Sequence, residues 1–283
     1  MQKILVTGGA GFVGSHLCER LAQDKKNKVY SLDNYFTGCK KNHVPKVTYI
    51  KGNTSKISNL IDFKPDILFH LGEYSRVEQS FEDIDRVWEY NINGMYEVLK
   101  FVRKHNCKIV YAGSSTKFGD GGAGRSSSPY AWTKSSNTDL LISYSNWFNL
   151  KYAITYFYNV YGPREISSGK YATLIALFKQ KQKNNDALTV VSPGTQKRNF
   201  THIDDIVEGL ILVGEKGIGD NYGIGSKEAY SVLEIAKMFG GDVTMLPERK
   251  GNRMDADLIT TKTLELGWSQ KKSIEEYISN IVK

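Results

Sequence analysis

The sequence predicts an α/β fold, a doubly wound parallel sheet followed by a smaller C-terminal lobe. Three observations carry this. Short β-rich runs alternate with helix-period apolar patterns through the first 160 residues. A Gly-rich turn joins the first strand to the first helix, and the alternation loosens after Tyr161. Parallel strands need crossover connections, and helices on both faces of the sheet supply them.

In order, "KILVTG" is a strand and "GFVGSHLCERLAQD" a helix, with Phe12, Leu17 and Leu21 among its helix-period apolar positions. "KVYSLDN" and "VTYIKG" are the second and third strands, and "DILFHLG" is a strand after a short helical segment. "WEYNINGMYEVLKFVRKH" reads as a long helix, "CKIVYAGSS" as a strand, "YAWTKSSNTDLLISYSNWF" as a helix and "KYAITYFYNV" as a strand. Beyond Tyr161, "GKYATLIALFKQKQ" reads as a helix, "RNFTHIDDIVEGLILVGEK" as a loop entering a helix, and "NYGIG" as a short strand. Two or three helices complete the tail. The expected division is a nucleotide-binding domain of residues 1–160 with 203–223, and a smaller lobe of 161–202 with 224–283.

The 283 residues suffice for a sizeable core, and 40% hydrophobic content with only six prolines describes an ordered globular chain. No apolar run is long enough to span a bilayer, and the N-terminus enters a strand at once, which predicts no signal peptide. Cys18, Cys39 and Cys107 lack metal-type or disulfide-type spacing, so they read as reduced thiols in a cytoplasmic protein with no metal site. The net charge of +8 comes from short, scattered lysine groups such as Lys25-Lys26 and Lys271-Lys272. Without aromatic interleaving or a recognition motif they read as solvated faces, not a nucleic-acid surface.

"VTGGAGFVGSHL" places Gly8, Gly11 and Gly14 in the pattern G-x-x-G-x-x-G. Glycines there permit positive φ and a close approach by a pyrophosphate, toward which the helix start turns unpaired N–H groups. Asp33 lies at the end of the second strand, the place of a carboxylate that bonds an adenosine ribose in a Rossmann-type fold. Alone, Asp33 reads equally as a turn former. Beside the glycines it predicts NAD, because a carboxylate repels a 2′-phosphate; Lys40 and Lys41 would weaken that preference if their loop folds back.

"SPYAWTKSS" puts Tyr130 and Lys134 four residues apart on one helical face. The Lys134 ammonium would favour the phenolate of Tyr130 and bind a cofactor ribose. Tyr130 would then take a proton from a substrate alcohol as hydride leaves the carbon.

With "FHLG", "YNINGMYEVL", "YNVYGPRE", "RNFTHIDD", "NYGIGS" and "LGW" added in order, the chain resembles the extended short-chain dehydrogenase/reductases, in the nucleotide-sugar epimerase and dehydratase family. Its site pattern is most similar to UDP-glucose 4-epimerase-like members. The resemblance implies bound NAD contacted by the turn (Gly8, Gly11, Phe12, Val13, Gly14) and by Asp33 and Asn34. Asn53, where relatives often carry Asp, Thr54, and Leu71 with Gly72 of "HLG" complete the implied cofactor set, together with Tyr130 and Lys134. For a nucleotide diphosphate sugar, a UDP-sugar favoured, it implies contacts from Glu73, Ser115, Asn159, Arg198 and Arg249. It also implies a homodimer formed through helices near 86–105 and 130–148.

The strand end "YAGSSTKFG" offers hydroxyls, Ser114, Ser115 and Thr116, and nothing more acidic. Similar dehydratases carry Asp-Glu at the positions of Ser115 and Thr116, and decarboxylases carry Glu at that of Thr116. Epimerase/reductases use Cys there, with a His after "YGP" where this chain has Arg164. By elimination the resemblance implies 4-epimerisation: Tyr130 and Lys134 with Ser114 and Thr116 move one proton while NAD handles the hydride. The alternatives are a nucleotide-sugar oxidoreductase with exchangeable NAD(H) and a non-catalytic NAD-binding member. Glu73, Arg76, Lys117-Phe118 and Tyr156 depart from the family pattern, and the segment between Ser114 and Tyr130 is short. Glu73 is expected to pair with Arg76, or else to bond a sugar hydroxyl or amine.

Overall fold

The structure is a computed structural model and describes residues 1–249 and 253–282. Its first six strands are β1 (Gln2–Thr7), β2 (Asn27–Asp33), β3 (Val47–Lys51), β4 (Ile67–His70), β5 (Lys108–Ser114) and β6 (Tyr152–Phe157). With the later strand Gly219–Ile224 they form a seven-stranded sheet in the order Gly219–Ile224, β6, β5, β4, β1, β2, β3. Every pairing is parallel. This is the doubly wound, Rossmann-like sheet that the alternation predicts.

The period of two along each strand divides the core. Ile4, Val6, Phe69, Val110 and Ala153 point to one face, where helix α1 (Phe12–Gln23) and helix Ile203–Lys216 cover them. Leu5, Leu68, Ile109, Tyr111 and Ile154 point to the other, beneath helices Gly94–His105 and Pro129–Phe148. Such two-sided burial explains why these strands read as continuous apolar runs. A third core, including Tyr161, Phe178, Phe200, Ile235 and Ile278, fills the smaller lobe. Trp268 of "LGW" fastens the tail to the first: its indole N–H donates to Asp205 O at 2.8 Å.

Helix Pro129–Phe148 starts where Ser128 accepts the Ala131 N–H at 3.1 Å, with proline in the first turn, and stops at Asn149 in the left-handed region. The long helix expected near 86–105 is instead Ile84–Val87, a π turn Trp88–Asn93, and Gly94–His105. Buried Asn91 sits in the π turn, where its side chain accepts the Tyr74 N–H at 2.7 Å and donates to Thr133 Oγ at 3.0 Å. The segment "GKYAT" is not helical: its helix begins at Leu174, and Tyr171 and Thr173 spend their hydroxyls on Asp83 and Glu165. "RNFTH", expected as loop, holds two short strands, Lys197–Asn199 paired with Ala229–Ser231 and Thr201–His202 paired with Val160–Tyr161. Leu188–Val191 and Val243–Leu246 form another unforeseen pair.

The turn after β1 is the tightest joint in the sheet. Gly8 has φ +75°, and a methyl on Gly14 would lie 2.1 Å from Gly8 O and 2.9 Å from Gly9 Cα. Because those obstacles are backbone, the turn itself must open. Gly14→Ala is therefore expected to cost about 1–3 kcal/mol, seen as a lower urea midpoint with an unchanged slope.

Candidate active site

The C-terminal ends of β1, β2, β4, β5 and β6 open into a cavity of about 680 Å³ that also reaches the smaller lobe. One end is built for a pyrophosphate. Gly8, Gly11, Phe12, Val13 and Gly14 line it, and Gly11 precedes α1 without a side-chain cap, so the first helical N–H groups remain open. A methyl on Gly72 would lie 2.9 Å from Gly8 N, so no side chain fits between this turn and the Leu71-Gly72 wall. The cradle therefore fits a dinucleotide.

Asp33 is buried on the same wall. It accepts the Ala10 N–H at 2.9 Å and the Tyr35 N–H at 2.7 Å, so it orders the loop that an adenosine would meet. Burial raises its pKa against the pull of those N–H groups. Asn34 and Thr54 also line the cavity, whereas Asn53 accepts from Asn34 Nδ2 at 2.8 Å and is not on the wall.

At the other end Tyr130, Ser114 and Thr116 meet. The Tyr130 hydroxyl donates to Ser114 Oγ at 3.1 Å, and Thr116 donates to the same oxygen at 2.9 Å from its hydroxyl and 3.3 Å from its N–H. Lys134 lies one turn along on the Tyr130 face, but its ammonium donates to Glu73 and to Ala112 O. It also stands 4.5 Å from the centre of the Tyr111 ring.

The expected Glu73–Arg76 pair does not form. Glu73 turns inward, where Tyr111 Oη donates to it at 2.9 Å and Asn137 Nδ2 at 2.8 Å. Burial alone would raise its pKa; Lys134 and His70 reverse that and hold Glu73 ionised. Arg76 lies on the cavity wall instead and donates to Tyr171 O at 3.0 and 2.8 Å. Lys117 and Tyr156 are accounted for together, since both bond Asp220 in a partly exposed trio beside the sheet.

Ser115, Asn159, Arg198 and Arg249 all line the cavity. Asn159 Nδ2 approaches Asn199 O at 3.4 Å. Arg249 pairs with Glu78 at 2.6 Å. Arg198 braces the chain beyond it, donating to Arg253 O at 2.7 Å and Met254 O at 3.2 Å.

Two cavity residues escaped the sequence reading. Arg253 donates to Ser115 Oγ at 3.2 Å, and its other terminal nitrogen is buried without a partner among the described residues. The signal was a second arginine four positions after Arg249, which spacing alone does not place. Glu165, next to Arg164 in "YGPRE", is a buried carboxyl on the wall, pushed up to about 7 by burial although Gly162 N–H and the Thr173 hydroxyl bond it at 2.8 and 2.7 Å. The cavity thus contains carboxyls, yet neither Glu73 nor Glu165 bonds Ser114, Thr116 or Tyr130.

Glu165 gives a pH signature. Its raised folded-state pKa favours the protonated form, so its contribution is fully present below the ordinary value of 4.5 and is lost as pH rises toward 7. Glu165→Gln is expected to gain on the wild type by up to about 3 kcal/mol between pH 4.5 and 8, checked by thermal melts across that range.

The model of the NAD dependent epimerase/dehydratase family matches residues 4–225. An uncharacterised UDP-glucose epimerase, YtcB of Bacillus subtilis, is 33% identical over 83% of this chain and 80% of its own length. A UDP-N-acetyl-alpha-D-glucosaminuronate decarboxylase of Bacillus cytotoxicus is 30% identical over 83% of this chain and 78% of its own. Among solved structures, the UDP-glucose 4-epimerase of Thermotoga maritima with UDP-glucose superposes with a TM-score of 0.90 at 26% identity, covering 99% of this chain and 97% of that one. Among the described residues no helix is long and apolar enough to cross a membrane. A dinucleotide cradle, a Tyr–Lys pair at the C-terminal end of β5 and a family match over most of the chain lead to one assignment: the protein belongs to the NAD-dependent epimerase/dehydratase family of extended short-chain dehydrogenase/reductase enzymes.

Proposed function

We propose that this enzyme inverts C4 of a nucleotide diphosphate sugar, with a UDP-sugar favoured, through a transient 4-keto intermediate. The observation that carries the proposal is the cluster of Tyr130 and Thr116 on Ser114 Oγ, with no carboxyl among the described residues bonded to any of the three. Elimination of water needs an acid at the leaving hydroxyl, and a serine or threonine is too weak for that. Removing and returning one proton at a secondary alcohol needs a single phenol.

In this reading Ser114 and Thr116 hold the C4 oxygen against Tyr130. Tyr130 takes the hydroxyl proton as the carbonyl forms and gives it back after the keto sugar presents its other face. Bound NAD would supply the acceptor and donor for the C4 hydride. Gly8, Gly11, Gly14 and Asp33 would hold the dinucleotide, with the other turn and wall residues around it. Arg198, Arg249, Arg253, Ser115 and Asn159 would hold the diphosphate and sugar, since planar guanidinium groups suit phosphate oxygens. The boundary between the two units is proposed at residue 160, with 203–223 returning to the first. The names of the Bacillus subtilis and Thermotoga maritima proteins support an epimerase; the decarboxylase relative does not.

A homodimer is proposed through the two helical faces that expose Trp88 and Trp132, stacked at 5.7 Å between ring centres.

Purified enzyme is expected to interconvert UDP-hexose 4-epimers without added NAD, and Tyr130→Phe to lose about 10²–10⁴-fold in kcat. Retained activity in that variant would overturn the mechanism. Protein that purifies without NAD and consumes NADH with a 4-keto sugar would replace epimerisation by net reduction. Arg253→Met is expected to raise KM for the nucleotide sugar about 10–100-fold, the loss of a charge-assisted hydrogen bond, measured against unchanged NAD content.

A further inference from the structure

We infer that Glu73 is a positioning residue that neutralises Lys134 and thereby sets how readily Tyr130 exchanges its proton. The inference rests on the reading of Tyr130 as proton carrier and adds a control that the Tyr–Lys pair does not contain.

Glu73 follows β4, and its side chain is 2% exposed. Four groups from three elements converge on it: Lys134 and Asn137 from helix Pro129–Phe148, Tyr111 from β5 and His70 from β4. The last of these is fixed by its own partner. Thr7 Oγ accepts the Leu71 and Gly72 N–H groups at 3.1 and 3.0 Å, which leaves its hydrogen for His70 Nδ1 at 2.7 Å. That bond assigns the imidazole proton to Nε2, 3.5 Å from Glu73 Oε1. Each neighbour therefore turns a donor or a positive charge toward Glu73, and the arrangement stabilises a carboxylate.

Helical spacing places Lys134 beside Tyr130, where a lone ammonium would draw the phenol toward phenolate. Glu73 cancels most of that field. Arg76 and Arg253 also line the cavity with Tyr130, and Tyr111, held neutral by burial and by Glu73, stands at the Glu73 side. Neither arginine bonds Glu73: Arg76 donates to Tyr171 O and Arg253 to Ser115 Oγ. A phenol balanced in this way returns a proton as readily as it takes one, which a reversible epimerisation requires in both directions.

A purely packing role predicts that every change at Glu73 weakens the fold and the rate together. A charge role predicts opposite behaviour from Asp and Gln. The measurement is the ionisation midpoint of Tyr130, followed by NMR in as-purified protein labelled with ¹³C at tyrosine Cζ and assigned with Tyr130→Phe. Glu73→Gln is expected to lower that midpoint by about one pH unit, and the acid limb of the kcat profile with it. Glu73→Asp keeps the wild-type midpoint, and the charge-free Glu73→Gln/Lys134→Gln returns close to it. Circular dichroism identifies folded variants; if Glu73→Gln does not fold, the double variant against Lys134→Gln reads the same charge, with Lys134→Gln higher. A midpoint in Glu73→Gln that is unchanged or raised, or an equal midpoint in the substitute pair, overturns the inference. Retained epimerisation by Tyr130→Phe would instead sink the proposed reaction and leave the measured coupling standing.

Discussion

A carboxylate sealed from water persists in a protein core only when donors surround it, and Glu73 is such a group. Its ion pair with Lys134 joins the end of β4 to the helix that carries Tyr130, while Tyr111 brings in β5. Asn137 extends the connection, donating at once to Glu73 and to Asn91 O in the π turn. Stripping one partner from a buried pair costs about 3–5 kcal/mol, whereas replacing both by apolar groups is often neutral. Stability alone therefore does not account for the pair. Besides its charge, the pair has a geometric side: Lys134 and Asn137 are both bonded to Glu73 on the helix that carries Tyr130 against Ser114.

The sequence showed its chemistry where local rules dictate it. Gly8, Gly11 and Gly14 follow from a turn that has no room for side chains, and Asp33 from the end of the adjacent strand. Tyr130 and Lys134 are visible because the helix repeat sets their spacing. Partners set by the tertiary fold were not visible. Glu73 and Arg76 are close in sequence, yet one turns under the sheet to Lys134 and the other to Tyr171. Arg253 meets Ser115 across 138 positions, and no periodic signal marks such a contact. The short strands of the smaller lobe escaped for the same reason, since two- to four-residue strands exist through remote pairing rather than propensity.

Charged groups stand toward both ends of the cavity. Asp33 lies by the glycine turn, and Arg198, Arg249 and Arg253 lie on the side of the smaller lobe. A ligand with a ribose at one end and phosphates at the other would satisfy both without burying an unpaired charge. Arg198 contributes indirectly as well, because its bonds to the carbonyls of Arg253 and Met254 hold the chain that presents Arg253. In the proposed reading, substrate recognition in this lobe depends on a brace as well as on the groups that would touch the ligand.

The proton inventory of the cavity bears on the reaction. Four carboxyls belong to its wall: Asp33, bonded to the Ala10 and Tyr35 N–H groups by the glycine turn, Glu78, paired with Arg249, and Glu73 and Glu165. Glu73 is kept ionised by Lys134, so it has no proton to give. Glu165 holds a proton near neutrality, but its oxygens are taken by Gly162 and Thr173 rather than by the hydroxyl cluster. Ser114 Oγ, receiving donors from both Tyr130 and Thr116, is arranged to hold an oxygen in place and not to protonate a leaving group. Expelling water or carbon dioxide asks for an acid at the sugar; inverting an alcohol asks for one group able to take a proton and release it again. Tyr130, beside an ammonium whose charge is already spent on Glu73, fits the second demand.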